Sequence, residues 1–382
     1  MTAMQVTPYR LTFPHGLHIG VSGVDLEESG VVARADTLFA ALLDAHGRAG
    51  HDAQAFAAPF ALAPPDPPFT LTSAFPFAGG VRFYPAPVDL TEIVSAQQLA
   101  QRGKAIRGVR YLSESLWRRA LNGEKLDGWL FPADENAEPM QGVALQGGEL
   151  WLSAEEVERL PDPLRPRKGR LRALRFRRLW ANARVPRVTV DRLTGASTIF
   201  HAGRVSFAPG CGLWFGVRWL RPDQPITAGG PAWEAALHRA LLTLADDGIG
   251  GERSAGYGAF DWQADAPFEL PAPQAEGRAF LLSRYHPRAE ELPGVMDAED
   301  CAYAIVSIGG WLRAPGVPAQ RRKRIAMLAE GSLVRLPAEL AGDVADVKPA
   351  YEAATGEPPH PVYRYGIAFG VAWPGRPSGD AE

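Results

Sequence analysis

Cysteine is nearly absent from this chain: Cys211 and Cys301 are the two in 382 residues. So wide a spacing supplies neither a disulfide framework nor a zinc-ligand pattern, and it points to a reducing, cytoplasmic setting. Long apolar runs are missing too, with nothing near the ~20 residues that a bilayer span needs. Residues 1–10 lack a basic start followed by an apolar stretch, so a signal peptide is not expected. Positive charge is not in excess: the formal net charge is −3. Any nucleic-acid surface therefore has to be local. The eight histidines form no H-E-x-x-H pair, and no carboxylates stand in a two-metal arrangement. Neither a metal nor a cofactor is expected.

Apolar residues make up 46% of the chain and charged residues 22%, enough for well-filled cores and, at this length, for two domains. The densest local signal is Gly248-Ile249-Gly250-Gly251-Glu252-Arg253-Ser254-Ala255-Gly256-Tyr257-Gly258. No Lys-Ser or Lys-Thr completes a Walker A loop. The stretch also closes a helix, whereas a dinucleotide fingerprint opens one, so a mononucleotide is a poor fit. A helix C-cap explains Gly248 alone. A loop whose amides cradle a phosphate backbone explains the rest better.

The second signal is residues 165–187. Arg165, Arg167, Lys168, Arg170, Arg172, Arg175, Arg177, Arg178, Arg184 and Arg187 fall there without one acid. Such a run can be a solvated face with arginine stems over apolar surface. In an acidic protein a polyanion-facing surface is the better reading. Two β-rich runs then flank Leu193-Thr194-Gly195-Ala196 and predict a protruding hairpin. In residues 211–220, Cys211, Leu213, Phe215, Val217 and Trp219 alternate with Gly212, Trp214, Gly216 and Arg218, so a strand is expected. Its second face is either covered core or a base-stacking platform.

Around these signals the periodicity gives a strand at 6–21 broken near Pro14–Gly16, then a helix with Leu38, Phe39, Leu42 and Leu43 on one face. Asp36 is a plausible N-cap for that helix. A strand follows at 69–77, and an amphipathic helix carries Trp233, Leu237, Leu241 and Leu244. The order is β-α-β, insert, β-α-β. That predicts an α+β chain of tandem ferredoxin-like, RNA-recognition-like domains with a glycine-rich loop and a hairpin thumb. The first domain spans 1–263, with an insertion at about 84–170 and the thumb at about 186–207. A proline- and alanine-rich linker covers 264–278, the second domain 279–373, and 374–382 read as a disordered tail.

The glycine loop resembles the C-terminal glycine-rich loop of the RAMP proteins of CRISPR systems. Ala35-Asp36-Thr37-Leu38-Phe39-Ala40-Ala41-Leu42, Arg192-Leu193-Thr194-Gly195, Glu330-Gly331-Ser332 and Val362-Tyr363-Arg364-Tyr365-Gly366 resemble one RAMP family, the fourth Csm subunit of type III-A effector complexes. The matches run in order from Gly16 to Gly366; residues 84–165 match nothing. The resemblance implies a subunit without catalytic residues that caps the 5′ handle of the CRISPR RNA. It further implies docking of the large polymerase-like subunit and of a backbone RAMP subunit, with target RNA met only indirectly. The RNA contacts would be Gly248, Ile249, Gly250, Gly251, Glu252, Arg253, Ser254, Gly256, Tyr257 and Gly258 of the loop. Arg175, Arg177, Arg178, Asn182, Arg184 and Arg187 would join them from the basic run, with Arg192 and Thr194 at the hairpin tip, His18, Arg364 and Tyr365. The competing reading is a metal-independent endoribonuclease that processes CRISPR transcripts, with His18 as its general base.

Overall fold

The computed structural model describes residues 2–20, 28–131, 138–139, 141–166, 170–191, 193–312, 319–350 and 360–375. Its first half is built on strand Ala3–Thr12, which buries Met4 and Val6 in one layer and Tyr9 and Leu11 in the other. One edge pairs antiparallel with Cys211–Trp219, in the register Tyr9↔Phe215. The other edge is shared: Asp261–Ala264 takes its C-terminal half and Phe268–Pro271 its N-terminal half. The sheet runs on through Phe75–Ala78, Val81–Pro85, Tyr111–Ser113, Leu150–Ser153 and Gly142–Leu145, with Phe69–Leu71 also paired to Cys211–Trp219. The region read as an insertion thus extends the main sheet. Its strands are only three to five residues long and mostly buried on both faces, so no alternating pattern marks them. Helix Glu114–Leu121 packs on strands Val81–Pro85, Tyr111–Ser113 and Leu150–Ser153.

Helices Ala35–Arg48 and Trp233–Asp247 pack on each other and on one sheet face. Leu38, Phe39, Leu42, Leu237 and Leu241 share a core there with Tyr9, Leu11 and Phe215. On the opposite face Val6, Phe75 and Trp214 meet Trp117 of the insertion and Phe280 and Phe369 of the C-terminal part. Each of these fully buried large side chains contributes roughly 1.5–3 kcal/mol. Trp214 is fully buried and donates its indole N–H to the Phe83 carbonyl at 3.0 Å. The strand Cys211–Trp219 is therefore covered on both sides and offers no stacking platform.

The C-terminal part centres on a three-stranded sheet, Leu333–Arg335, Arg278–Leu281 and Gly370–Ala372. Beside it stand two short antiparallel pairs, Ile305–Ile308 with Ile325–Leu328 and Trp311–Leu312 with Gln320–Arg321. Among its described residues the single α-helix is the four-residue Leu292–Val295, so the second β-α-β-β-α-β set is not seen there. The segment read as a free linker holds strand Phe268–Pro271, whose hydrogen bonds to the first strand fix it. Of the tail read as disordered, residues 376–382 lie outside the described residues.

Buried ion pairs join the two parts. Arg278 grips Glu92 with bonds of 2.6 and 2.9 Å, both side chains almost wholly buried. Asp36 does not cap its helix. Ser73 does that work: its hydroxyl accepts the Ala35 amide at 2.9 Å while donating to Glu330. The Asp36 carboxylate, 1% exposed, instead binds Arg364 at 2.6 Å and Arg284 at 3.4 Å, and Glu330 binds Arg34 at 2.7 Å. Burial pulls the Arg284 guanidinium below its ordinary range, with Asp36 and Glu330 acting against that. The cause is general: a buried guanidinium keeps its charge only beside a buried anion.

Candidate nucleic-acid interface

Strands Trp180–Val190 and Ser197–Phe207 form an 11-pair antiparallel ribbon from Trp180↔Phe207 to Val190↔Ser197. Leu179, Trp180 and Val205 are buried and seat its base in the main core, while most residues beyond are exposed. The Asp191 carboxylate accepts the Leu193 amide at 2.8 Å, which holds its carboxyl below the usual carboxylate range. Thr194 accepts the Ala196 amide at 3.3 Å. A two-stranded ribbon with so few apolar neighbours owes its shape to these turn bonds and to its ladder.

The glycine loop lies against the base of this ribbon, and residues 16–18 lie between them. Leu17 exchanges two backbone bonds of 2.8 Å with Val205 of the hairpin. The Gly258 amide donates to the Gly16 carbonyl at 2.9 Å, and the Gly251 amide to the His18 carbonyl at 2.8 Å. His18 Nδ1 lies 2.8 Å from the Gly203 carbonyl, so this nitrogen carries the proton and donates. The loop's glycines answer to this close approach. A Cβ on Gly250 would sit 2.2 Å from the His18 carbonyl oxygen, and one on Gly251 would sit 2.8 Å from the His18 ring. Gly256 differs: its φ is +82° and it faces open space, so it serves the turn after Arg253–Ala255.

Above this junction two arginines cover Tyr257. The Arg187 guanidinium carbon lies 5.1 Å from the ring centroid and that of Arg204 5.9 Å, a cation–π arrangement. The Nε atoms of both are buried and make no hydrogen bond among the described residues. Arg204 went unnoticed in the sequence, although a turn centred between 193 and 194 puts residues 187 and 204 on one face of the ribbon. Next to the ribbon, the 3-10 segment Leu171–Phe176 and residues after it expose Arg172, Arg175, Arg177 and Arg178, with Phe176 81% exposed.

The expected contacts thus separate into two groups. Gly250, Arg253, Ser254, Gly256, Arg175, Arg177, Arg178, Asn182, Arg184 and Thr194 are exposed, and Gly251, Glu252 and Arg187 are partly so. Gly248, Ile249, Tyr257 and Gly258 are buried in the loop's own packing, which leaves them a supporting role. His18 is 4% exposed with its Nδ1 engaged, a poor position for a general base toward a bound strand. Arg364 and Tyr365 lie inside the fold. Arg364 is held by Asp36 and by the Gly309 carbonyl at 3.1 Å; Tyr365 is fully buried, its hydroxyl accepting the Leu71 amide at 3.2 Å. Arg192 lies outside the described residues. Among the described residues no group of His, Cys, Asp and Glu could hold a metal ion, and no helix is long and apolar enough to cross a membrane.

Comparison with known proteins agrees with this architecture. Residues 274–373 match the family model of the CRISPR Csm4 C-terminal domain. A chain of the crystal structure of the Csm3–Csm4 subcomplex in the type III-A CRISPR-Cas interference complex superposes with a TM-score of 0.59 at 14% identity, covering 97% of this chain and 99% of that one. A chain of the Csm1–Csm4 cassette in complex with pppApA gives 0.51 at 17% identity, covering 98% and 100%. A search of curated protein sequences returns no significant match. Residues 274–373 thus match a Csm4 C-terminal domain, and nearly the whole chain shares the fold of chains found in Csm3–Csm4 and Csm1–Csm4 assemblies.

Proposed function

We propose that the chain is the RNA-binding, non-catalytic subunit of a type III-A CRISPR interference complex, and that it caps the 5′ handle of the CRISPR RNA. The observation that carries this reading is the row of solvent-facing arginines, Arg172, Arg175, Arg177, Arg178 and Arg184, that runs into the ribbon on whose base the glycine loop packs, in a protein whose net charge is −3. The four strands Asp261–Ala264, Ala3–Thr12, Cys211–Trp219 and Phe75–Ala78, with two helices on one face, support a ferredoxin-like first domain. In this reading the ribbon is the thumb, lying along the guide beyond the handle, and the exposed loop tip Arg253–Gly256 meets the phosphates. Docking of a large polymerase-like subunit and of a backbone RAMP subunit belongs to the same proposal. The structures matched come from Csm1–Csm4 and Csm3–Csm4 assemblies.

Binding of a labelled handle RNA by the full chain tests it across a salt series. For single strands the log–log slope is about −0.7 per neutralised phosphate. The triple change Arg175→Ala, Arg177→Ala, Arg178→Ala is expected to flatten it by about 2. An unchanged slope refutes the assignment of this run. Cleavage of repeat RNA by the purified chain, blocked by a 2′-deoxy group at the scissile position, would overturn the non-catalytic reading.

A further inference from the structure

Most of the buried or half-buried arginines of this protein face a carboxylate: Arg10, Arg34, Arg82, Arg278, Arg284 and Arg364 each hold one. The cluster Arg321, Arg322, Lys323 and Arg324 stands apart, with no ion pair to any described residue. It follows directly on a second ribbon, in the C-terminal part. Trp311 pairs across that ribbon with Arg321 and is 53% exposed, an unusual state for the largest apolar side chain. The Arg321 guanidinium carbon lies 5.3 Å from the indole centroid. The neighbouring carboxylate, Asp346, is engaged by the Lys348 and Val362 amides at 3.0 and 2.9 Å.

The ribbon is held firmly from below. Leu312, beside Trp311, is buried against Val347 and Val362. The Arg322 amide donates to Gly310 at 2.9 Å and the Lys323 amide to Val347 at 3.0 Å. Arg364, itself fixed by Asp36, donates to Gly309. The Arg322 Nε is buried without a hydrogen bond among the described residues. A firmly held backbone thus presents an indole braced by one cation, and the Arg324 Nε lies 3.9 Å from where a Cβ on Gly309, two residues before Trp311, would stand. Single-stranded nucleic acid answers to both features, since each base has a face to stack and each linkage an anion to pair.

We propose that Trp311, Arg321 and Arg324 form a second single-stranded RNA contact, in which one base stacks on the indole and the cations take the adjoining phosphates. This rests on the RNA-binding reading above and adds to it a site remote in sequence from the hairpin and the glycine loop. The test measures affinity of the full chain for a fluorescein-labelled oligouridylate of about 12 nucleotides and for the same oligomer made abasic. Trp311→Ala should weaken binding of the first about tenfold and leave the second unchanged, because only a base can stack. Trp311→Phe, which keeps an aromatic face, should stay within about threefold of the unaltered protein. Arg321→Ala should lower the salt slope by about 0.7. If Trp311→Ala binds both oligomers as the unaltered protein does, the proposal falls; the hairpin reading stands in that case if the triple arginine variant still loses affinity. If the unaltered chain binds neither oligomer, the RNA-binding reading itself fails. If Trp311→Ala binds RNA normally but no longer joins the effector complex, the surface is a protein contact and the proposal is overturned.

Discussion

Replacing Asp36 by asparagine separates two accounts of the same residue. As a helix cap, asparagine serves as well as aspartate, and the change would cost only a few tenths of a kcal/mol. As the buried counter-charge seen here, it strands two guanidiniums. Asp36 is 1% exposed, and the side chains of Arg364 and Arg284 are 10% and 17% exposed, so water screens little of the loss. Removing one partner from a buried pair typically costs ~3–5 kcal/mol. At ~2 °C per kcal/mol for a chain this large, the midpoint of thermal unfolding should fall by about 6–10 °C. Tryptophan fluorescence reports it well, because Trp214 and Trp117 lie in the core that joins the two parts. Asp36→Asn combined with Arg364→Met should recover about 1–3 kcal/mol relative to the sum of the single changes. A loss under ~1 kcal/mol, or strict additivity in the double variant, would refute the counter-charge argument.

Gly250→Ala should destabilise by at least ~2–3 kcal/mol in urea unfolding, since its φ of +92° and the His18 carbonyl both resist a side chain. Gly256→Ala meets open space and should cost only ~1–2 kcal/mol, so equal effects would refute the packing account. Burial, and next the His51 ring 4.9 Å away, lower the pKa of His46 to about 4 from 6.5. A base whose folded pKa is depressed stabilises fully above its unfolded value and progressively less below it. Urea midpoints should therefore drop as pH falls from about 6.5 towards 4, and His46→Leu should shrink that slope.

Patterns of period 2 and 3.6 carried a good part of the fold. The strands at 3–12 and 211–219 and the helices at 35–48 and 233–247 are amphipathic or uniformly apolar over nine or more residues, long enough for the pattern to show. Tyr111–Ser113 and Leu150–Ser153 are three and four residues long and buried on both faces, so nothing local announces that they extend a sheet. The strand Phe268–Pro271 was concealed by prolines tolerated where it pairs along one edge. The glycine loop was visible as composition, but its reason was not. Gly250 and Gly251 yield to His18, some 230 residues earlier in the chain, an approach that no local pattern announces. Asp36 was misread for the same reason: a local rule for helix starts outweighed two arginines that arrive 248 and 328 residues later.

The shared first strand has a consequence for synthesis on the ribosome. Residues 3–12 leave the ribosome well before their partners, residues 211–219, 261–264 and 268–271. At ~5–20 residues per second, the strand waits about 10–40 s for its first partner. Throughout that interval both of its edges are open to any other nascent chain. Pro8 sits in the middle of it and cannot donate a ladder hydrogen bond, and Arg10 adds a charge two residues on. Those two residues weaken wrong pairings during the wait. In the finished protein the Pro8 carbonyl is still used, accepting the Asp265 amide at 2.9 Å.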